Sequence, residues 1–186
     1  MAKIEPYASW LPLEARAQRE GDPRVRTLLV AVRDHMEHEI RGHLDALMAT
    51  LTADPIYHFW NPAGSFRLEG REAVATFYAN MIAAGGNQFE VVVEKVVADR
   101  DNVITEGQVK QVRTGAELIA AGHKQVAGQP VKPDELFLTR AQLVTVWPGD
   151  PHGKLVGEDI YFGEDPLASA VRIAREDLPA YHRLAR

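Results

Sequence analysis

The sequence predicts an α+β fold, in which helices come first and long strands follow. Between residues 24 and 84, apolar residues recur every three or four positions, which is typical of amphipathic helices. After residue 86 the period changes to two, and valine, threonine and aromatic residues become frequent, which indicates strands. Helices grouped before strands favour an α+β fold over an alternating α/β fold.

Three helices and one short strand are predicted in the N-terminal half. Gly42 ends the first helix, and Pro55 limits the second, because proline disfavours a helical residue before it. Gly85 and Gly86 follow the third helix, where glycine commonly forms the C-terminal cap. The predicted helices cover residues 24–42, 43–51 and 71–84, and the short strand covers residues 56–60.

Four long strands are predicted in the C-terminal half, with a loop of unusual length between the second and third. That loop, residues 115–133, contains three glycines and two prolines, and a loop in this position often acts as a lid. The predicted strands cover residues 89–98, 103–113, 136–147 and 154–162.

The chain is expected to form one domain with two extensions. Its 186 residues suffice for one core, and residues 24–163 contain the predicted helices and strands. Residues 1–23 are predicted to be an N-terminal extension that packs either on the domain or on a second subunit. Residues 164–186 resume a helical pattern and are predicted to form a C-terminal helical tail.

Composition excludes several classes of function. Aspartate and glutamate number 26 against 21 lysines and arginines, so a nucleic-acid partner is not expected. The absence of cysteine removes thiolate metal sites and cysteine nucleophiles, and it suits the cytoplasm. No apolar run reaches the roughly 18 residues of a membrane-spanning helix, so no membrane association is expected. His38 and His43 are five residues apart rather than four, so we predict no metal site.

Three segments of the chain carry a family resemblance. Residues 61–81 read NPAGSFRLEGREAVATFYANM, residues 114–131 read TGAELIAAGHKQVAGQPV, and residues 153–165 read GKLVGEDIYFGED. In this order they resemble the nuclear transport factor 2-like superfamily, especially ketosteroid isomerase and the SnoaL-like polyketide cyclases. The resemblance implies a cone-shaped α+β barrel, in which a curved antiparallel sheet packs on about three helices around one central pocket. It also implies a homodimer formed through the outer sheet face, where Glu106, Gln108 and Lys110 would lie.

The catalytic residues of ketosteroid isomerase are not retained. By motif, the aspartate that moves the proton falls on Asn61, whose amide does not titrate near neutral pH. The aspartic acid of the oxyanion hole falls near Leu143, and the tyrosine of that hole falls near His35. Ketosteroid isomerisation by that mechanism is therefore excluded, although the scaffold is similar.

Glu158 is the first candidate for proton transfer. The resemblance places Glu158, Ile160 and Phe162 inward on the last strand and Asp159 outward. A carboxyl group among apolar neighbours has a raised pKa, which suits a general acid or base near neutral pH. A slip of one residue in register would instead turn Asp159 inward, and the sequence leaves this alternative open.

His35 is the second candidate for proton transfer. It lies four residues before Glu39 along the edge of the apolar stripe of the first helix, so both side chains are able to reach the cavity. A carboxylate beside an imidazole fixes the tautomer of the ring and raises its basicity. The alternative is an ordinary pair on the helix surface, joined by a weak contact.

Six further residues are predicted to bind the ligand. If Asn61 faces inward, strand alternation turns Tyr57 and Phe59 inward as well, and Asn61 and Tyr57 would hold a ligand oxygen. As a turn residue before proline, Asn61 needs no function. The others either line the apolar part of the cavity or simply pack in the core, and they are Tyr78, Met81 and Trp147.

Two hypotheses for function follow. The first is a SnoaL-like or isomerase-like enzyme that moves protons, without a cofactor, on a small and largely apolar carbonyl or polyketide-like compound. The second is a non-catalytic protein that binds an apolar small molecule, or a dimeric subunit whose sheet face serves assembly. The catalytic hypothesis requires Glu158 or His35 to border a cavity, and it loses its basis if neither does.

Overall fold

One sheet packed against helices forms the body of the protein, as predicted for an α+β fold. The computed structural model describes residues 2–62 and 64–183. Five α-helices are found in this part of the chain, rather than about three, together with three short 3₁₀ turns at Pro6–Ala8, Pro166–Ser169 and Arg175–Asp177. The α-helices are α1 (Leu11–Gln18), α2 (Pro23–Arg41), α3 (Leu44–Ala49), α4 (Arg71–Ala83) and α5 (Gly115–Ala120).

The main sheet is mixed and open, which corrects the expectation of a purely antiparallel sheet. The strands of the described residues are β1 (Leu51–Asn61), β2 (Gly64–Glu69), β3 (Glu90–Ala98), β4 (Asn102–Thr114), β5 (Gln125–Val126), β6 (Gln129–Pro130), β7 (Leu136–Pro148), β8 (Leu155–Phe162) and β9 (Val171–Ile173). The strand order of the main sheet is β2-β1-β8-β7-β4-β3, and β9 adds to the end of β7, whereas β5 and β6 pair with each other in a separate sheet. β1 and β8 run parallel, and the other neighbours in the main sheet are antiparallel.

The longest helix, α2, packs its apolar stripe against the inner face of the sheet. The carboxylate of Asp22 caps its first turn by accepting from the backbone N–H groups of Arg24 and Val25. Gly42 ends the helix with a φ of 75°, a left-handed conformation that glycine adopts without strain. The stripe is buried in the main core, and its residues are Val25, Leu28, Leu29, Val32, Met36 and Ile40.

Strand β2 lies between the predicted strand 56–60 and the predicted helix 71–84, where the sequence predicted no strand. Its residues 64–69 pair with residues 56–61 of β1 as an edge strand. Phe66 and Leu68 alternate with polar residues, but over only five residues, and all six residues are exposed or half-buried.

The N-terminal extension packs on the domain itself. Helix α1 lies against α2, and Trp10 and Leu13 are buried in the main core. Further toward the terminus, fully buried Ile4 packs with Leu138 and Leu178 in a second cluster. This cluster joins the two chain extensions across part of β7.

The C-terminal segment corrects the prediction of a helical tail. Between residues 164 and 183 it forms two 3₁₀ turns and the short strand β9. Residues 171–173 pair with residues 136–138 of β7, and this pairing outweighs the weak helical pattern. Pro166 and Pro179 also limit any longer helix.

Residues 115–133 form a packed element beside the sheet. Thr114 caps α5 in a reciprocal capping box with Glu117, and β5 and β6 form a small hairpin. Leu118 and Val131 pack against Phe137 in a cluster of their own. None of these residues lines the central cavity, so the predicted role of a lid over that cavity is not supported by this packing.

No helix in the described ranges, residues 2–62 and 64–183, has the length and apolar character needed to cross a membrane.

Candidate active site

A cavity of about 400 Å³ lies between the inner face of the sheet and the helices α2 and α4. Strands β1, β3, β4, β7 and β8 each contribute side chains to its wall, because alternate residues of a strand face the same side. Most of the wall is apolar, and these residues are Met36, Phe59, Phe77, Met81, Phe89, Val91, Val109, Leu143, Ile160 and Phe162.

Glu158 on β8 faces this cavity. Its side chain is buried, with 7% of its surface exposed, and it stands beside inward-facing Ile160. Asp159 points to the opposite face, where its carboxylate lies 3.5 Å from Nδ1 of His58. The register is therefore the one that the resemblance implied. Burial, and then the charges of Glu39 and Asp159, raise the pKa of Glu158 well above its ordinary value.

Glu39 on α2 is the second carboxyl group of the cavity wall. It follows cavity-lining Met36 by three residues, so the two side chains share one face of the helix. Burial raises the pKa of Glu39 to about 8. Sequence reasoning treated Glu39 only as a partner of His35, although its position on the edge of the apolar stripe was a signal that it also faces the core. With both pKa values raised, the pair holds at least one proton at neutral pH.

His35 lies at the centre of a buried hydrogen-bond network. The hydroxyl of Thr50 donates to the carbonyl of Leu47 at 2.6 Å, so its oxygen accepts from Nδ1 of His35 at 2.7 Å. The proton of the neutral ring is thereby assigned to Nδ1, and Nε2 is left as an acceptor. The hydroxyls of Tyr57 and Tyr78 lie 3.1 Å and 3.0 Å from that Nε2.

The position of His35 corrects both sequence interpretations of it. Burial, with a contribution from the charge of His38, lowers the pKa of His35 to about 3, so the ring stays neutral. Its side chain is fully buried and does not line the cavity, and Thr50 rather than Glu39 fixes its tautomer. His35 is therefore neither a base in contact with a ligand nor part of a surface pair.

The six predicted ligand-binding residues divide into two groups. Phe59, Tyr78, Met81 and Trp147 all line the cavity. Tyr57 is fully buried behind the cavity wall, in the His35 network. Asn61 lies outside the cavity, in an open groove with Phe66 and Asp165, because β1 continues past the end of the cavity. The predicted role of Tyr57 and Asn61 in holding a ligand oxygen is corrected by these positions.

Besides Glu39, four polar cavity residues were not recognised from the sequence as site residues. Thr105 on β4 and Thr145 on β7 are directly opposite each other, with their hydroxyl oxygens 2.6 Å apart. The indole Nε1 of Trp147 donates to the hydroxyl of Thr145 at 2.7 Å. At another part of the wall, Arg113 donates to the amide oxygen of Gln111 at 2.5 Å. Strand alternation was a signal for the threonines, but only the strand order brings them together.

The lining side chains offer carboxyl, hydroxyl, indole and guanidinium groups to a ligand. Within residues 2–62 and 64–183, no three metal-ligating side chains come together in a group that could hold an ion. The arrangement is able to donate and accept protons between two carboxyl groups inside an apolar enclosure.

Comparison with known proteins identifies relatives by sequence pattern and by fold. Residues 32–127, just over half of the chain, match the family model described as SnoaL-like domain. No curated protein matches the sequence.

Several solved structures share the fold at low sequence identity. A protein assigned as a SnoaL-like polyketide cyclase from Jannaschia sp. CCS1 is 18% identical, with a TM-score of 0.56 over 78% of this chain and 91% of its own. SalBIII, an epoxide hydrolase/cyclase-like enzyme, is 14% identical, with a TM-score of 0.52 over 78% and 95%. An LEH-like epoxide hydrolase from M. tuberculosis is 20% identical, with a TM-score of 0.51 over 75% and 85%. These likenesses show the fold alone.

Proposed function

This chain belongs to the SnoaL-like domain family, and on that premise we propose that it is a cofactor-independent acid–base catalyst. Its substrate would be a small, largely apolar carbonyl or polyketide-like compound that it isomerises or cyclises. One observation carries the proposal: Glu39 and Glu158 line the same apolar cavity, and the pKa of each is raised. A protonated and an ionised carboxyl group, side by side, are the two groups that such reactions need.

The two carboxyl groups take different roles in this proposal. Burial and the charges of two acidic neighbours all raise the pKa of Glu158, so Glu158 is the protonated member that donates to a substrate oxygen. Glu39 is the member that ionises first and accepts a proton from carbon or from a hydroxyl group. The apolar wall excludes water and thereby strengthens both interactions.

The alternative function is non-catalytic binding of an apolar small molecule. A designed protein with the same scaffold supports this alternative. It is a computationally designed 17-OHP binder that is 14% identical, with a TM-score of 0.52 over 80% of this chain and 98% of the designed chain. SalBIII, whose role is in pyran ring formation in the polyether salinomycin, shares the scaffold equally well and supports the catalytic proposal. The carboxyl pair supports the catalytic proposal over simple binding, since binding of an apolar molecule does not require two acids in the cavity wall.

Exchange of the α-hydrogens of 2-tetralone in D₂O tests the catalytic proposal without knowledge of the natural substrate. This bicyclic ketone is small and mostly apolar, and mass spectrometry follows its deuterium uptake. The wild-type protein is expected to accelerate exchange. The exchange rate catalysed by E39Q or by E158Q is expected to be about 100-fold lower, because one general acid or base typically contributes a factor of this size. E94Q, a change at an exposed glutamate of β3, is the matched control.

The outcomes separate the two functions. Loss of exchange in E39Q and E158Q, with E94Q unchanged, supports acid–base catalysis. Equal exchange in all four proteins contradicts the role of the carboxyl pair. Binding of 2-tetralone by the wild-type protein without accelerated exchange favours the non-catalytic alternative.

A further inference from the structure

We infer that Thr105 and Thr145 form a hydrogen-bond donor site for an oxygen atom of the bound molecule. The inference rests on the proposed function, because it concerns the same cavity, and it narrows the ligand class. The ligand would be a largely apolar molecule with a carbonyl or ether oxygen that accepts a hydrogen bond, rather than a pure hydrocarbon.

The two threonines meet inside the cavity because β4 and β7 are neighbours. They form a cross-strand pair and both line the cavity. Only 2% of Thr105 and 4% of Thr145 is exposed, so water competes little for their hydroxyl groups. Their position among apolar side chains makes an unused hydrogen bond costly.

A count of hydrogens leaves one donor without an acceptor. The oxygen of Thr145 accepts the indole hydrogen of Trp147, and the two hydroxyl groups share a single hydrogen bond. The pair has two hydroxyl hydrogens, and that bond uses one of them. Within residues 2–62 and 64–183, the other hydroxyl hydrogen has no further acceptor, whichever threonine donates to its partner.

The tyrosines of the His35 network are directed to another acceptor. The hydroxyl groups of Tyr57 and Tyr78 both lie within hydrogen-bond distance of Nε2 of His35, which is fully buried and does not line the cavity. The threonine pair is therefore the better-placed donor for a ligand. It also adjoins the carboxyl pair, because Thr145 is opposite Ile160, two residues from Glu158 on the same face of β8.

A matched pair of probes tests the inference. 2-Acetylnaphthalene and 2-ethylnaphthalene are similar in size and shape, but only the ketone has an oxygen acceptor. Fluorescence titration gives the dissociation constant of each probe. The ratio of the two constants reports the contribution of the hydrogen bond to affinity, because burial of the ring system contributes about equally to both. The wild-type protein is expected to prefer the ketone. The double variant T105V/T145V, which removes both hydroxyl hydrogens, is expected to reduce that preference by about fivefold to tenfold.

Three further variants control for indirect effects. T139V removes a buried threonine hydroxyl on β7, the strand of Thr145. Thr139 does not line the cavity and donates to the backbone carbonyl of Gln111, so this change should leave the preference unchanged. T105S and T145S keep the hydroxyl group and should retain the preference. Binding of the hydrocarbon reports that the cavity of each variant is intact.

The outcomes distinguish this inference from the proposed function. If all proteins bind the hydrocarbon, and T105V/T145V keeps the wild-type preference, the donor site is contradicted while acid–base catalysis stands. If the wild-type protein binds neither probe, both the donor site and the binding cavity on which it rests are contradicted.

Discussion

Glu39 on α2 and Glu158 on β8 line the same cavity, and the charge of Glu39 contributes to the raised pKa of Glu158. The two residues are 119 positions apart in the chain and come together only because the helix packs on the sheet. Two carboxyl groups in an apolar enclosure cannot both ionise readily, so each controls the proton of the other.

The free energy of unfolding should depend on pH through Glu39. Its pKa is about 8 in the folded protein, above the ordinary value of 4.5, so the folded state keeps a proton that the unfolded chain loses. This contribution to stability is complete below about pH 4.5 and is lost as the pH rises toward 8. Urea denaturation measures the free energy of unfolding of the wild-type protein and of E39Q at pH 5 and at pH 8. The decrease between these two pH values should be larger for the wild-type protein, by at least about 1 kcal/mol, since one unit of pKa shift is about 1.4 kcal/mol.

E94Q, at an exposed position, serves as the control for the pH series and should follow the wild-type curve. Parallel stability curves for the wild-type protein and E39Q over this range would contradict the raised pKa of Glu39.

His35 should stay neutral, with its proton on Nδ1, from pH 5 to 8. Burial lowers its pKa to about 3, and the hydrogen bond to Thr50 selects the Nδ1 tautomer. Heteronuclear NMR of the labelled imidazole nitrogens reports both properties directly. An imidazole that titrates between pH 5 and 8 would refute this assignment.

Removal of the His35 ring should destabilise the fold. H35L leaves the hydroxyl groups of Tyr57 and Tyr78 without their shared acceptor, at a cost of about 2–4 kcal/mol for buried groups of this kind. Urea denaturation measures the loss, and H152L, at an exposed histidine, should change stability by less than about 0.5 kcal/mol. Equal stabilities of the two variants would show that the network contributes little.

The N-terminal extension should contribute to global stability, because Ile4 is fully buried against Leu138 and Leu178. I4A is expected to lower the free energy of unfolding by about 2–4 kcal/mol, the usual cost of a cavity left by a large apolar side chain. L11A, at a half-exposed position of α1, is the matched control. If I4A is as stable as L11A, the extension is only loosely attached to the body.

A homodimer through the outer sheet face stays a prediction, and the fold restricts where it would form. The chain's own extensions cover the region around Leu138. On β1 and β8, by contrast, Trp60 and Tyr161 stack with ring centroids 5.9 Å apart, and about two fifths of each side chain is exposed. Sedimentation velocity should therefore show a dimer that W60E/Y161E converts to a monomer, with E94Q as control. A monomeric wild-type protein would contradict the prediction.

The parts of the fold that the sequence predicted are those with local periodicity. The stripe of α2 and the long strands β3, β4, β7 and β8 repeat their apolar pattern over enough residues to be recognised. β2 was missed because its alternation of Phe66 and Leu68 with polar residues is short, and β9 because pairing with β7 decides its conformation. Pairing between distant segments is not visible in a local pattern.

The site was predicted only as far as strand alternation and family resemblance reach. Glu158 faces the cavity as the resemblance implied, but Thr105 and Thr145 meet only because β4 and β7 pair. For His35, Glu39, the acid four residues later on the same helix, was taken as its partner, whereas its actual partners come from α4, β1 and the segment between α3 and β1. A helical residue has several neighbours within reach, and tertiary packing selects among them.

Titration of the carboxyl groups of Glu39 and Glu158 is the sharpest test of the acid–base pair. In protein labelled with ¹³C at the glutamate carboxyl carbon, NMR over pH 3 to 10 follows each group, and E39Q and E158Q assign the two signals. Both glutamates are expected to titrate well above the ordinary value of 4.5, and the pKa of Glu158 should fall in E39Q because one of its acidic neighbours is removed. If both titrate near 4.5, or if neither responds to loss of the other, the coupled acid–base pair does not exist.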